Sequence, residues 1–355
     1  MDKDSRIYIA GHRGLVGSAL VRALTEMGYA NIITRTHAEL DLTDQKATRG
    51  FFQDIRPEYV FLAAARVGGI YANNTYPAEF IYQNLAIQNN IIHSSWKIGV
   101  KRLLFLGSSC IYPKKCPQPI REEYLLTGPL EPTNRPYALA KISGVEMCWA
   151  YNRQYGTRYI AVMPTNLYGP GDSYDLDNSH VIPAVIRKLH LAKLARDNNV
   201  DAIRRDEAAM GQIPTDVKTA IGLSTDSMQL SGSPHALFWG SGLARREFLY
   251  SDDMVSACLL LIRQSDGETG HLFSDATPPL VNVGCGWDLT IRELVELVNR
   301  VVGFVGKIRW DKDKPDGTLQ KVLDVSRLTQ LGWQPKVELI EGIRKAYLDY
   351  QSSVG

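Results

Sequence analysis

The sequence contains no apolar run that approaches the roughly 18 residues of a membrane-spanning helix. It also has no C-x-x-C pair and no Cys/His spacing typical of a metal site, and its cysteines are five, an odd number. The net charge of +2 is too small to indicate a nucleic acid or an acidic membrane as a partner. The first strand-like run follows the N-terminus almost at once, so we expect no signal peptide. We therefore expect a cytoplasmic protein with free thiols and no metal site.

The first half of the chain alternates short apolar runs with longer amphipathic ones. Continuous apolar strands are typical of a parallel sheet that is covered on both faces. Strands that alternate with helices predict a doubly wound α/β fold of the Rossmann type. The predicted strands are 6–10, 31–34, 59–65, 102–109 and 158–164, and the predicted helices are 14–28, 44–55, 76–98 and 137–155.

The pattern changes after residue 170. The polar stretch 196–233 has no clear period, and we predict a mobile insertion with short helices near 204–210. It either covers a site or is a tolerated surface excursion. We expect 1–170 to form the dinucleotide-binding domain with the catalytic residues. We expect 171–355 to form mainly a smaller α/β substrate domain, with the chain crossing back to the first. The later elements, all assigned beyond the sheet, are 181–195, 235–242, 252–264, 280–286, 290–302, the strand "KIRW" and a last helix from 338.

The motif "IAGHRGLVGSA" places Gly11, Gly14 and Gly17 between the first strand and the first helix. Glycines there permit a tight turn and a close approach of a pyrophosphate to the helix N-terminus, whose N–H groups and dipole favour anions. The alternative is an ordinary glycine-bearing turn. The context predicts a dinucleotide site.

The end of the second strand indicates which dinucleotide binds. An NAD site usually carries an acidic residue there, whereas this strand ends "TRTH". Arg35 in that stretch, together with Arg13 in the glycine loop, suits the 2′-phosphate of NADPH. The alternative is that Arg35 is only solvated. Asp41 is placed to approach the adenine.

The motif "RPYALAKISG" places Tyr137 and Lys141 on one face of a helix. A lysine ammonium beside a phenol is expected to lower the phenol pKa, so that Tyr137 becomes a general acid or base. Ser108, in "GSSCIYP", is placed to hold the same carbonyl oxygen. Cys110 follows at the carboxyl end of that strand, where α/β sheets bind their ligands. A lone cysteine is more often a small buried hydrophobe, so its position carries the assignment.

Together, these features resemble the extended short-chain dehydrogenase/reductase family. Within it, the chain most resembles the branch of GDP-L-fucose synthases, the GDP-4-keto-6-deoxy-mannose 3,5-epimerase/4-reductases. The matching stretches are "AGHRGLVGSA", "AAARVGGI", "ANNTYPAEFIYQN", "LLFLGSSCIYPK", "LEPTNRPYALAKI", "MPTNLYGPGD", "NSHVIPA", "WGSG", "REFLYSDD", "NVGCG", "TIRELVE" and "DKPDGT".

The resemblance implies two kinds of chemistry in one site. Cys110 and His180 would invert C3 and C5 of the sugar, since a thiol and an imidazole with ordinary pKa values of about 8.5 and about 6.5 can exchange protons near neutrality. NADPH would then supply hydride to C4, with Tyr137 protonating the alkoxide while Ser108 and Lys141 position and polarise it. The pair of helices 76–98 and 137–155 implies a homodimer through a four-helix interface.

The resemblance also implies the ligand contacts. Arg245 leaves the assignment of Arg246 uncertain by one position, and His37 stands where the family can carry a second phosphate-binding arginine. The expected GDP-sugar contacts are Lys188, Trp239, Arg246 and Asp316. The expected cofactor contacts are Gly11, His12, Arg13, Gly14, Leu15, Val16, Gly17, Arg35, Asp41, Ala64, Leu106, Ser108, Lys141, Pro164, Thr165, Asn166, Leu167 and His180.

Three alternatives stay open at this point. The same chemistry, or 4-keto reduction alone, could act on a related GDP-4-keto deoxy sugar or heptose. A sugar-nucleotide 4-epimerase with bound NAD would consume no cofactor, but it gives no reason for Cys110 and His180. A non-catalytic nucleotide-binding protein would have no chemical reason to keep Ser108, Tyr137 and Lys141 together.

Overall fold

The computed structural model describes residues 1–224, 229–264, 266–314 and 316–355. The chain divides into two compact units. The first unit contains Met1–Leu167, Ser251–Gly286 and Val322–Lys336. The second unit contains Tyr168–Tyr250, Trp287–Lys321 and Val337–Gly355.

The helices and strands follow the hydrophobic pattern of the sequence closely. The strands are β1 (Ile7–Ala10), β2 (Ile32–Ile33), β3 (Tyr59–Leu62), β4 (Arg102–Leu106), β5 (Tyr159–Pro164), β6 (Asn166–Tyr168), β7 (His235–Trp239), β8 (Arg245–Arg246), β9 (Phe248–Tyr250), β10 (Leu280–Val283), β11 (Leu289–Thr290), β12 (Lys307–Asp311) and β13 (Gln320–Lys321). The helices are α1 (Leu15–Glu26), α2 (Gln45–Ile55), α3 (Ile70–Thr75), α4 (Pro77–Ile98), α5 (Arg135–Tyr155), α6 (Val181–Arg196), α7 (Val200–Met210), α8 (Thr215–Ala220), α9 (Ser251–Arg263), α10 (Asp266–Thr269), α11 (Ile291–Val302), α12 (Ser326–Gln330) and α13 (Leu339–Val354).

The first unit is built on a parallel sheet with the order β10-β5-β4-β3-β1-β2. The chain moves one way across the sheet from β1 to β2 and the other way from β2 to β5. Because parallel crossovers are right-handed, α1 lies on one face, and α2, α4 and α5 lie on the other. This is the predicted doubly wound fold. Strands β1, β3 and β4 are buried along nearly their whole length, which explains their continuous apolar runs.

Two later elements correct the predicted domain boundary, and they lie where the chain crosses back to the first unit, as predicted. The sequence assigned the helix at 252–264 and the strand at 280–286 to a second domain beyond the sheet. In the structure, β10 pairs in parallel with β5, and α9 packs against α1, so both belong to the first unit. Hydrophobic periodicity defines a strand but does not tell which sheet it joins.

Asn282 fixes β10 in the first unit through buried polar contacts. Its side-chain oxygen accepts from the Tyr112 hydroxyl at 2.6 Å, and its backbone N–H donates to Glu122 at 2.9 Å. Its side-chain nitrogen donates to the Ile120 carbonyl at 2.9 Å. Buried polar groups are costly unless they are paired, and these contacts pair them.

The second unit has a separate apolar core and two small sheets, β11-β8-β13 and β12-β7. The described part of the segment 196–233 belongs to this core. Ile203 on α7 and Val217 on α8 are buried there, contrary to the prediction of a mobile insertion. The short helices predicted near 204–210 are confirmed as α7, whereas α8 was missed because most of its residues are polar and its apolar partners lie far away in the sequence. Residues 225–228 of the segment lie outside the described residues.

A buried ion pair joins the segment to α6. The Arg187 Nε lies 2.8 Å from an oxygen of Asp206, and both side chains are fully buried. Arg187 also donates to the carbonyl oxygens of Met210 and Gly211, and Asp206 accepts from the Tyr350 hydroxyl. Moving α7 away from α6 would break this pair and leave buried charges without partners, which is strongly destabilising. The pair therefore holds α7 in a defined position on α6. No helix in the described part of the chain combines the length and apolarity needed to cross a bilayer.

Candidate active site

The glycine loop between β1 and α1 has the geometry of a phosphate cradle. Gly11 adopts a left-handed conformation with φ +85°, which favours glycine. A Cβ at Gly17 would lie 2.0 Å from the Gly11 carbonyl oxygen, and a Cβ at Gly11 would lie 2.7 Å from the Ala64 amide nitrogen. Gly14, the N-cap of α1, supplies no side-chain cap. The loop therefore fits a dinucleotide pyrophosphate that approaches the backbone at the helix N-terminus.

Glu39 is an acidic residue that follows the end of β2. Glu39 accepts hydrogen bonds from the Thr36 amide at 2.7 Å and the Thr36 hydroxyl at 2.8 Å, and these bonds lower its pKa. The charges of Arg35 and Arg13 lower the pKa of Glu39 further. Glu39 itself was missed, because it lies beyond the strand end that was inspected for an acid.

Asp41, the predicted adenine contact, forms a turn. Its carboxylate accepts from the Thr43 amide at 2.9 Å and the Thr43 hydroxyl at 2.7 Å, which lowers its pKa. His37 Nδ1 lies 3.8 Å from the same carboxylate. An adenine contact by Asp41 stays a prediction.

Ser108 and Cys110 meet in the turn that follows β4. Ser108 caps a 3-10 turn over Ser109–Ile111, and its Oγ lies 2.7 Å from the Cys110 Sγ. The Ser108 hydroxyl also hydrogen bonds to Tyr137, and this contact by itself lowers the pKa of the phenol. The structure thus brings the predicted serine, cysteine and tyrosine together.

The pKa of Tyr137 is raised, not lowered as the sequence predicted. Burial is the main cause, and the nearby Cys110 adds to it. The Lys141 Nζ donates to the Leu106 carbonyl at 2.7 Å and lies 5.8 Å from the centroid of the Tyr137 ring. Burial lowers the pKa of Lys141 to about 8. Tyr137 is therefore a protonated phenol near neutrality. Lys141, one helical turn further along α5, is anchored to the end of β4.

The remaining predicted cofactor contacts of the first unit follow the carboxyl ends of its strands. Ala64 follows β3, Leu106 ends β4, and Pro164 ends β5. The Thr165 amide donates to the Val283 carbonyl at 3.0 Å, which continues the pairing of β5 with β10. Because the carboxyl ends of parallel strands share one edge, these residues lie on the side of the sheet where ligands bind. The others lie in the glycine loop, at the start of α1 or in β6: His12, Leu15, Val16, Asn166 and Leu167.

His180 belongs to the second unit. It is the N-cap residue of α6, its side chain makes no capping hydrogen bond, and it reaches solvent. Desolvation by the surrounding protein lowers its pKa. Its pairing with Cys110, and its contact with a cofactor, stay predictions.

The second unit brings two predicted substrate contacts together. The Lys188 Nζ, on α6, lies 5.7 Å from the centroid of the Trp239 ring and donates to the Leu237 carbonyl at 3.3 Å. The Trp239 ring, at the end of β7, is 56% exposed. An exposed indole beside an ammonium group suits a nucleotide, which offers a flat ring and phosphates.

The other two predicted substrate contacts lie nearby in the same unit. Asp316 accepts from the Ser241 amide at 2.8 Å and the Ser241 hydroxyl at 2.7 Å, which lowers its pKa. Burial lowers the pKa of Arg246, and the charge of Asp316 opposes this. Arg245 instead forms an ion pair with Asp288 at 2.8 Å. Arg245 is therefore engaged in an ion pair with Asp288, and Arg246 is the arginine whose charge interacts with Asp316.

Comparisons with known proteins agree with this geometry. Residues 7–205 and 212–276 match the model of the NAD dependent epimerase/dehydratase family. GDP-L-fucose synthase 1 of Arabidopsis thaliana is 49% identical over 353 residues, which cover 99% of this chain and 95% of the relative. A solved GDP-6-OMe-4-keto-L-xylo-heptose reductase from C. jejuni is 38% identical, with a TM-score of 0.88 and 99% of each chain covered. MlghC, a GDP-mannoheptose C4 reductase from Campylobacter jejuni with NADP bound, is 37% identical, with a TM-score of 0.82 and 99% of each chain covered.

Proposed function

Because the chain belongs to the NAD dependent epimerase/dehydratase family, we propose that it is an NADPH-dependent epimerase and reductase that makes GDP-L-fucose from GDP-4-keto-6-deoxy-D-mannose. The observation that carries this proposal is the grouping of Ser108, Cys110 and Tyr137 at the end of β4, with Lys141 anchored to the same strand. The GDP-L-fucose synthase from Arabidopsis thaliana supports the choice of substrate.

The epimerase part rests on the acidity of the sugar carbons. The C4 ketone acidifies the hydrogens on C3 and C5, and inversion needs a base on one face of the carbon and an acid on the other. We assign these roles to Cys110 and His180. Desolvation lowers the pKa of His180, which favours the neutral imidazole, the form that can accept a proton.

The reductase part rests on Tyr137. Because its pKa is raised, the phenol keeps its proton near neutrality and can give it to the alkoxide that forms at C4. The Ser108 hydroxyl, which hydrogen bonds to that phenol, holds the same oxygen. Lys141, with a pKa of about 8, still carries a positive charge at pH 7 and polarises the site. Bound NADPH would supply the hydride.

The choice of NADPH over NADH is supported by charge. Arg13 lies in the glycine loop and Arg35 follows β2, and arginine is the residue that suits a 2′-phosphate. MlghC, which holds NADP, supports the same choice. The glycine loop would hold the pyrophosphate on the N-terminus of α1.

We also propose a homodimer through α4 and α5. The two helices pack side by side in the first unit. They carry exposed apolar side chains, Tyr82 on α4 and Leu139 and Tyr155 on α5. Exposed apolar side chains on neighbouring helices are typical of a surface that another subunit covers.

A second candidate is the same chemistry, or reduction alone, on a GDP-4-keto heptose. The two heptose reductases with 38% and 37% identity favour it. Incubation with GDP-4-keto-6-deoxy-mannose and NADPH in deuterated water distinguishes the two candidates. We expect NADPH oxidation, deuterium at C3 and C5, and GDP-L-fucose as product. Absence of exchange at both carbons would contradict the epimerase, and turnover of the heptose alone would favour the second candidate.

A further inference from the structure

The short helix α8 places a carboxylate against the exposed indole of Trp239. The Trp239 Nε1–H donates to the Asp216 Oδ2 at 3.1 Å. Asp216 lies in the segment 196–233, to which the sequence assigned no functional residue. The hydrogen bond fixes the edge of the ring and leaves its faces to other groups.

Two ammonium groups stand beside the same ring. The Lys188 Nζ lies 5.7 Å from the ring centroid, and the Lys314 Nζ lies 5.3 Å from it. Both distances are within the range of a cation–π interaction. Burial lowers the pKa of Lys188, and the charge of Asp216 opposes this effect. The carboxylate thus faces an indole and an ammonium group.

Asp216 has a fixed position because α8 is anchored at several points. Val217 and Ala220, two residues of α8, are buried. The Lys218 Nζ lies 2.7 Å from an oxygen of Glu207 on α7, and α7 is held on α6 by the buried pair of Arg187 and Asp206. A chain of packed and charged contacts therefore runs from α6 through α7 to the carboxylate of Asp216.

We propose that Asp216 is a positioning residue of the GDP-sugar site. It holds the indole of Trp239 in place for the flat ring of the nucleotide, with Lys188 and Lys314 beside the indole for the diphosphate. The inference rests on the proposed function. It gives the segment 196–233 a role in substrate binding: the segment supplies the hydrogen-bond acceptor that orients an aromatic surface. Preorganisation of this kind lowers the ordering cost that is paid on binding.

The test measures GDP binding by titration calorimetry. We expect Asp216→Ala to weaken binding about tenfold, a loss of about 1.4 kcal/mol. Asp216→Asn keeps an oxygen that can accept from the indole, so we expect wild-type affinity to within about threefold. The matched control is Asp201→Ala, which removes an exposed carboxylate of the same segment that pairs with Arg204 at 3.3 Å. Thermal unfolding of each variant, compared with that of the wild type, reports that the second unit is folded.

A double-mutant cycle shows whether Asp216 acts through Trp239. In a Trp239→Phe background, we expect Asp216→Ala to cause no further loss, since the indole N–H is already absent. In turnover, Asp216→Ala should raise KM and leave kcat unchanged. Equal loss in both backgrounds, or equal weakening by Asn and Ala, would overturn the positioning role. Wild-type protein that fails to bind GDP would contradict the proposed function itself.

Discussion

Cys110 and Ser108 share one turn after β4, with Sγ and Oγ 2.7 Å apart, yet the proposed chemistry gives them different steps. Ser108 also hydrogen bonds to Tyr137, which links it to reduction. A substitution at 110 that keeps a hydrogen-bonding group should therefore separate the two steps.

We expect Cys110→Ser to slow deuterium exchange at C3 and C5 by about 100-fold, because a serine hydroxyl is a far weaker acid than a thiol. Affinity for NADPH should not change. Exchange followed by NMR and cofactor binding followed by fluorescence measure the two effects. Cys116→Ser is the control, since Cys116 lies at the edge of the apolar core. Wild-type exchange in Cys110→Ser would remove this thiol from the mechanism.

The pKa of Lys141 predicts an alkaline limit to reduction. Burial lowers the pKa to about 8, so the ammonium form that polarises the site is present below that pH and lost above it. We expect the rate of NADPH oxidation to fall as the pH rises through about 8. In Lys141→Arg the charge persists, so the remaining activity should not show this fall. A wild-type rate that stays constant to about pH 10 would contradict the role of Lys141.

At the scale of elements, two helical glycines differ in the space around them: Gly17 at the start of α1 packs against the glycine loop, and Gly50 in α2 does not. Gly17 has a neighbour 2.0 Å from where a Cβ would stand, whereas a Cβ on Gly50, inside α2, would meet nothing within 4 Å. The same substitution should therefore have opposite signs at the two positions.

We expect Gly17→Ala to lower the melting temperature and to abolish NADPH binding, since the loop must open to admit the methyl group. Gly50→Ala should stabilise the protein by about 0.5–1 kcal/mol, because alanine loses less backbone entropy in a helix. Thermal unfolding with and without NADPH measures both variants. A Gly17→Ala protein that binds NADPH normally would contradict the cradle.

The sequence predicted the elements whose periodicity is strong and local. The strand at 6–10 and the helix at 76–98 agree with β1 and α4 to within a residue or two. The sequence did not predict that β10 joins the main sheet, because pairing with β5 depends on residues more than a hundred positions away. Helix α7 agrees with the short helices predicted near 204–210, whereas α8 was not predicted, because its buried residues pack against distant parts of the chain.

The candidate site shows the same division. The glycine spacing and the Tyr137–Lys141 spacing are local, and the structure brings both sets to the expected strand ends. The direction of the Tyr137 pKa was wrong, because burial is a property of the whole fold and outweighs a neighbour inferred from spacing. Asp216 carries no local signal, since only the packing of α8 brings it to Trp239.

At the scale of the whole molecule, the exposed side chains of α4 and α5 predict association. Leu139 on α5 is 38% exposed, and Leu348 on α13, in the second unit, is 58% exposed. We expect Leu139→Arg to shift the protein from dimer towards monomer, because the proposed interface would bury the charge. Leu348→Arg, outside the proposed interface, should leave the dimer intact. Sedimentation velocity measures both, and a Leu139→Arg protein with wild-type sedimentation would contradict the interface.

The first unit is assembled from three separated stretches of chain, and its outermost strand, β10, is contributed by the second of them. A fragment that stops at residue 167 would expose the edge of β5 and leave Tyr112 and Glu122 without the contacts that Asn282 makes. The first unit therefore cannot be exchanged between relatives as one continuous segment of chain. Recombination within this family is expected to succeed only when the crossover sites carry β10 together with the strands it completes.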